Sequence, residues 1–133
     1  MRYFKYKEFD SPDLKGSGKK FMDPNFLEFI DELRHRCNFP FRVTSGYRTQ
    51  NYQDDLTRRG YKTSKSRSAH QDGLAADISI TDSKKRALFI GHAIELTHDW
   101  NLPIRLGISG VKTGNFIHCD IHPEKQSPRI WVY

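Results

Sequence analysis

Two short segments carry the residues best suited to chemistry: Ser68-Ala69-His70-Gln71-Asp72-Gly73-Leu74-Ala75-Ala76-Asp77 and Phe116-Ile117-His118-Cys119-Asp120-Ile121. Successive side chains of a strand point to opposite faces. Ala76, Ile78 and Ile80 therefore share an apolar face, and Ala75, Asp77 and Ser79 share the other. The second segment repeats the design, with Ile117, Cys119 and Ile121 towards a core and Phe116, His118 and Asp120 away from it. If the two strands are neighbours, Asp77 meets His118, and His70 reaches over from its loop, where Gly73 permits a tight turn. Two imidazoles and one carboxylate around an open fourth position are the ligand set of a catalytic zinc site. A single anionic ligand leaves such a centre positively charged, which acidifies bound water and polarises a carbonyl. The same residues also admit a reading without metal, in which Asp77 caps a loop and the histidines are surface groups.

These residues need a scaffold. Asp23-Pro24 opens a helix, Asp as cap and Pro at the first helical position. Phe26, Phe29, Ile30, Leu33 and Cys37 give it one apolar face, and Asn38 and Pro40 stop it. Before it, Gly16-Ser17-Gly18-Lys19-Lys20 reads as a polar loop after an N-terminal arm. Residues 41–45 read as a strand, 49–59 as a polar helix closed by Gly60, and 61–71 as a basic, Ser-rich loop. A strand over 74–80 is followed by a helix capped by Ser83, with Ala87, Ile90, Ile94 and Thr97 as its face and Trp100 in the core. Strands follow over 104–108 and 116–121, joined by a turn, and a short edge strand over 129–133. The pattern predicts an α+β fold, helices packed on a small, largely antiparallel sheet. With 133 residues, one domain over 1–133 is expected.

The net charge of +6 favours polyanionic surroundings, such as a cell wall or nucleic acid. No recognised nucleic-acid motif accompanies it, so a basic nucleic-acid binder rests on charge alone. No apolar run is long enough for a membrane span. Met1 to Asp10 lacks the apolar stretch of a secretory signal, so synthesis in the cytoplasm is expected. Cys37 and Cys119 form no CxxC pair and read as two buried thiols.

The first segment resembles the SxHxxGxAxD signature of the zinc D-alanyl-D-alanine carboxypeptidases (peptidase family M15), through Ser68, His70, Gly73, Ala75 and Asp77. Ser45-Gly46-Tyr47-Arg48 resembles the family's SGYR element, and Phe116-x-His118-x-Asp120 the last-ligand segment of its short subfamily. The terminal Trp131-Val132-Tyr133 and the aromatic start from Phe4 to Phe9 resemble that subfamily too. The resemblance implies the fold shared by hedgehog and DD-peptidase domains, one zinc ion on His70, Asp77 and His118, and Arg48 as a substrate-site residue. It implies hydrolysis of peptide bonds involving D-amino acids in peptidoglycan stem peptides. The protein itself is expected to be monomeric and, with no apolar signal stretch at its start, to reach the wall by phage release or another export route. The short chain has few loops to enclose a free dipeptide, which favours the endopeptidase form.

Arg48 is suited to the role, because a guanidinium fork binds a carboxylate or a developing oxyanion. The plainer alternative is pairing with Asp54 or Asp55. Ser68 either bonds within the loop or reaches substrate, and Gln50 and Gln53 lie close by. Lys62, Lys65 and Arg67 form a basic rim or simply a solvated loop. Many relatives place an acid three residues before the last histidine, and that position here is Asn115. Asp120 is the nearest alternative, about 7 Å along the strand from His118. That spacing suits either a proton acceptor or a group that orients the ligand. His122 is a further candidate on that face. The departure at Asn115 also motivates a rival reading, a zinc-stabilised cell-wall-binding module without turnover.

Overall fold

The computed structural model describes residues 1–64 and 66–133, so Lys65 of the basic rim lies outside the described residues. Helix α1 spans Ser17–Phe21 and α2 spans Pro24–Cys37. Strand β1 covers Arg42–Ser45 and α3 covers Gln50–Arg58. Strand β2 is Ala75–Ser79 and α4 is Ser83–Asp99. Strands β3 (Arg105–Ile108), β4 (Phe116–Asp120) and β5 (Arg129–Val132) complete the chain. The sheet order is β1-β2-β4-β3-β5, antiparallel except for the outer pair of β3 and β5. It is an α+β fold.

Helix α2 follows its capping chemistry. The Asp23 carboxylate accepts from the backbone N–H of Asn25 (2.8 Å) and Phe26 (3.3 Å), and Asn38 ends the helix at φ 57°. Phe26, Phe29, Ile30, Leu33 and Cys37 are all buried. They meet Ala76, Ile78, Leu106, Ile117 and Cys119 from one face of the sheet, in the same core as α4. Both cysteines are buried free thiols. The opposite face of the sheet carries the polar residues of β2 and β4. Among the described residues no helix is long and apolar enough to cross a membrane.

Four local expectations differ from what forms. Residues 17–21 are helix rather than loop, because the Asp10 carboxylate accepts from the N–H groups of Gly16 (2.9 Å) and Gly18 (2.7 Å) at its start. Helix α4 buries Phe89, Ala93, Leu96 and Thr97, while Ile94 is 51% exposed. Apolar residues surround much of this helix, and its largest one, Phe89, turns to the core against Phe41 at a ring distance of 5.2 Å. Its cap is Asp82, whose carboxylate accepts from Lys85 N–H at 2.9 Å, not Ser83. Trp100 then falls just past the helix end and is exposed.

Two tight approaches bring the loops to the sheet. A short 3-10 turn, Tyr6–Phe9, ends on Phe9, whose carbonyl accepts from Tyr47 N–H at 2.9 Å. A Cβ at Gly46 would sit 2.6 Å from the Phe9 backbone. The second approach is at Gly73, at φ 68° between the 3-10 turn Ala69–Asp72 and β2. Its carbonyl accepts from Asp23 N–H at 3.0 Å, and a Cβ there would clash with the carbonyl of Phe21. Gly73→Ala therefore pairs a left-handed conformation with a backbone clash. Thermal unfolding should show a loss of about 2 kcal/mol or more. A variant as stable as the parent would show that this junction is not constrained.

Candidate metal centre

The register of the sheet builds the site. Asp77 on β2 lies directly opposite His118 on β4, and Ala75 lies opposite Asp120. Ser45 on β1 is the partner of Asp77 on its other side. His70 comes from the 3-10 turn before β2. Its ring turns towards the strands because Nδ1 donates to the Gly46 carbonyl at 2.7 Å, while Arg48 N–H donates to the His70 carbonyl at 3.2 Å. That bond leaves His70 Nε2 as the lone-pair nitrogen.

His70 Nε2, Asp77 Oδ1 and His118 Nδ1 form a triangle with sides of 3.0, 3.2 and 3.3 Å. All three residues are buried. A tetrahedral zinc ion with bonds of about 2.1 Å holds its ligand atoms about 3.4 Å apart. The triangle accepts such an ion with movements of a few tenths of an ångström. The outer nitrogen of each ring is already committed, His70 Nδ1 to a carbonyl and His118 Nε2 to Asp120 Oδ2 at 2.7 Å. This is the usual support of metal-bound imidazoles, which orients each ring and aims its other nitrogen inward. The donor set and its geometry fit a zinc ion.

The charges agree. Burial lowers the basicity of His118, but hydrogen bonds to Asp120 and Asp77 outweigh it and push its pKa up to about 9. In the metal-free site a proton thus stands where a cation belongs. Burial and then the charge of Arg48 lower the His70 pKa, which keeps that ring neutral. Burial raises the Asp77 pKa, but His70, His118 and their hydrogen bonds hold it well below the ordinary carboxylate range.

Arg48 is tied on three sides. Its Nε donates to Ser45 Oγ (2.9 Å), Nη1 to Gln53 Oε1 (3.3 Å) and Nη2 to Asp77 Oδ2 (3.0 Å). It holds the second oxygen of the ligand carboxylate and lines the cleft, and it pairs with neither Asp54 nor Asp55. Ser68 also lines the cleft, and its Oγ accepts from His70 N–H at 3.3 Å. Gln71 closes that turn on Ser68 N–H and donates to Gln50 Oε1 at 2.7 Å. Gln50 and Gln53 thus steady the turn and the arginine.

Asp120 is 1% exposed. Its Oδ2 accepts from His118 Nε2 and from Arg105 Nε (3.2 Å), and its Oδ1 from His122 N–H (3.2 Å). Burial raises its pKa, but the bond from His118, with smaller help from Arg105, holds it below the usual value. His122 turns elsewhere, bonding Asp72 through Nε2 at 2.8 Å. Asn115 adopts φ 54° in the turn before β4, a conformation that asparagine tolerates better than most residues. Its backbone accepts from Ile80 N–H and donates to the Gly110 carbonyl, so the residue serves the turn.

The cleft in front of the triad has a volume of about 280 Å³. Arg105, Lys125, Trp131 and Tyr133 also line it; the sequence marked the aromatic pair only through its resemblance to the short subfamily, and did not single out Arg105 or Lys125. Trp131 reaches across Gly107, where a Cβ would meet the indole at 2.7 Å, and its ring lies 5.5 Å from that of His118. Burial pushes the Tyr133 phenol up to about 12, so it remains a neutral donor. The alternation of Arg105 with the apolar Leu106 was the one signal available for Arg105.

No protein-family model and no curated protein matches the sequence. Among solved structures the fold is similar to that of the Serratia marcescens L-Ala D-Glu endopeptidase ChiX. The TM-score is 0.62, covering 77% of this chain and 82% of that one at 18% identity. At that identity the likeness establishes the fold.

Because the His118 proton competes with a cation below about pH 9, zinc affinity should rise with pH by up to about tenfold per unit between pH 7 and 9. Calorimetric titration checks this, and a flat profile would contradict it. The same raised pKa stabilises the metal-free protein below the unfolded value near 6.5, an effect lost as pH rises through about 9.

Proposed function

We infer that the protein is a zinc metallopeptidase acting on peptidoglycan, cleaving a stem-peptide bond that involves a D-amino acid. The observation that carries this reading is the triangle of His70 Nε2, Asp77 Oδ1 and His118 Nδ1 at the floor of a cleft. The fold around it is similar to that of an L-Ala D-Glu endopeptidase. The motif resemblance of residues 68–77 points the same way, and the short chain, with few loops to enclose a free dipeptide, favours the endopeptidase form over a carboxypeptidase.

A zinc ion bound to this set acidifies water and polarises the scissile carbonyl. The chain's own groups do the rest. Arg48 holds Asp77 and has further N–H donors for the substrate carbonyl oxygen as it gains charge. Tyr133 supplies a neutral hydroxyl in the same cleft. Asp120 is the acid on the cleft wall apart from the ligand Asp77, among the described residues. Its Oδ1, bonded only to His122 N–H, is the oxygen with capacity to take a proton. Ser68 contributes a hydroxyl to the rim for the peptide backbone.

Digestion of purified muropeptides by the zinc-loaded protein, with products identified by mass, tests the reading. The parent should cut a stem peptide, and a folded His70→Ala variant should fall to background. Equal activity in that variant would sink it.

The binding-module alternative draws on Asp120, whose firm engagement with His118 and Arg105 suits a purely positioning role. Asp120→Asn separates the two. Under the peptidase reading turnover falls by about 10- to 100-fold or more. A module without catalysis would give no turnover in parent or variant, while still binding zinc.

A further inference from the structure

The cleft carries more positive charge than its carboxylates require. Arg48, Lys62, Arg105 and Lys125 line it, against Asp77 and Asp120 among the described residues. Each nitrogen of the Arg48 fork already donates once, to Ser45, Gln53 or Asp77, and Lys125 Nζ donates to the Arg67 carbonyl at 2.7 Å. Arg105 differs from both. It sits on β3 opposite Asp120. Its Nε donates to Asp120 Oδ2 and its Nη1 to the Gln126 carbonyl at 2.9 Å. Its guanidinium lies 5.1 Å from the centre of the Trp131 ring.

Three contacts therefore hold this group in one orientation, with 15% of the side chain exposed. Its remaining nitrogen, Nη2, has no protein partner among the described residues. That atom is not sealed in the interior, since no buried side-chain nitrogen or oxygen lacks a partner. Neutralising Asp120 does not account for it, because Asp120 Oδ2 already accepts from His118 and needs a single further donor. A fixed, partly desolvated guanidinium with unused N–H groups binds carboxylates well, because its ordering cost has been met within the fold.

We propose that Arg105 binds a carboxylate on the substrate residue flanking the scissile bond, and so selects peptides in which that carboxylate is free over those in which it is amidated. This rests on the peptidase reading above. Arg105 is linked to the ligand His118 through the single carboxylate of Asp120, on the Trp131 side. Arg48 stands beside Asp77, on the β1 side. A peptide lying across the triad brings its carboxylate-bearing neighbour under Arg105. Lys62 and Lys125 add a field of the same sign at the rim.

The test uses the peptide L-Ala-γ-D-Glu-L-Lys with its glutamyl α-carboxyl group either free or as the carboxamide. Zinc-loaded protein carrying Trp100→Phe is used, in which Trp131 is the one remaining tryptophan of the two in the sequence. Cleavage kinetics and titration of Trp131 emission are measured for both peptides. The acid should show a KM or Kd lower than the amide by at least about tenfold. Arg105→Gln should erase that ratio, and Arg105→Lys should recover part of it, with circular dichroism showing that each variant is folded. Equal handling of the two peptides by the Arg105 protein, or an unchanged ratio in Arg105→Gln, overturns the proposal, as does failure of the acid to bind. Acid-selective binding without any cleavage would leave Arg105 as the carboxylate site and remove the peptidase reading instead.

Discussion

The pairing of Asp77 with His118 across β2 and β4 is the constraint from which the site follows. The antiparallel register brings the two together, since slipping either strand by one residue would turn its ligand towards the apolar core and part it from the other. Ala76, Ile78, Ile117 and Cys119, all fully buried, hold that register from the opposite face. The third ligand arrives by a different route. His70 is aimed by the Gly46 carbonyl, and Gly46 is pressed against Phe9 of the N-terminal turn. The first ten residues thus help to orient a ligand sixty positions later, which gives that aromatic segment a physical purpose.

Around the triad, each polar group is held by a second one. Arg48 fixes the outer oxygen of Asp77, Asp120 fixes the far nitrogen of His118, and Arg105 fixes Asp120. Such a network allows Asp77, His118 and Asp120 to be buried together, because each finds a partner of opposite sign. It also creates a gap of the right charge. Without a cation, two carboxylates force a proton onto His118, and that proton is what a divalent ion displaces.

Much of this was legible in the sequence because it depends on local periodicity. Alternation in residues 74–80 and 116–121 puts Asp77 and His118 on the non-core face, and helical spacing in residues 26–37 marks the core side of α2. What stayed hidden depends on distant neighbours. Arg105 joins the site because β3 pairs with β4, and Trp131 because β5 lies parallel to β3, with Gly107 between Trp131 and His118 in one row. Nothing local to residues 129–133 encodes that placement. Helix α4 was misjudged by a rotation because apolar residues occur around much of its circumference, and packing against Phe41 selects the buried stripe. The loop expected over 16–20 became helix through the Asp10 carboxylate, a contact made from outside the segment. The role of Asn115 was likewise visible as a departure from a motif, while its reason, a left-handed backbone, was not.

Three side chains from two strands and one turn converge to make a single candidate metal centre. Metal content of the purified protein, measured beside that of a folded His118→Ala variant after both are offered zinc and dialysed, tests it most directly. A zinc site on these three residues requires about one equivalent in the parent and far less in the variant. A parent that retains no metal, or a variant that retains as much, would contradict it.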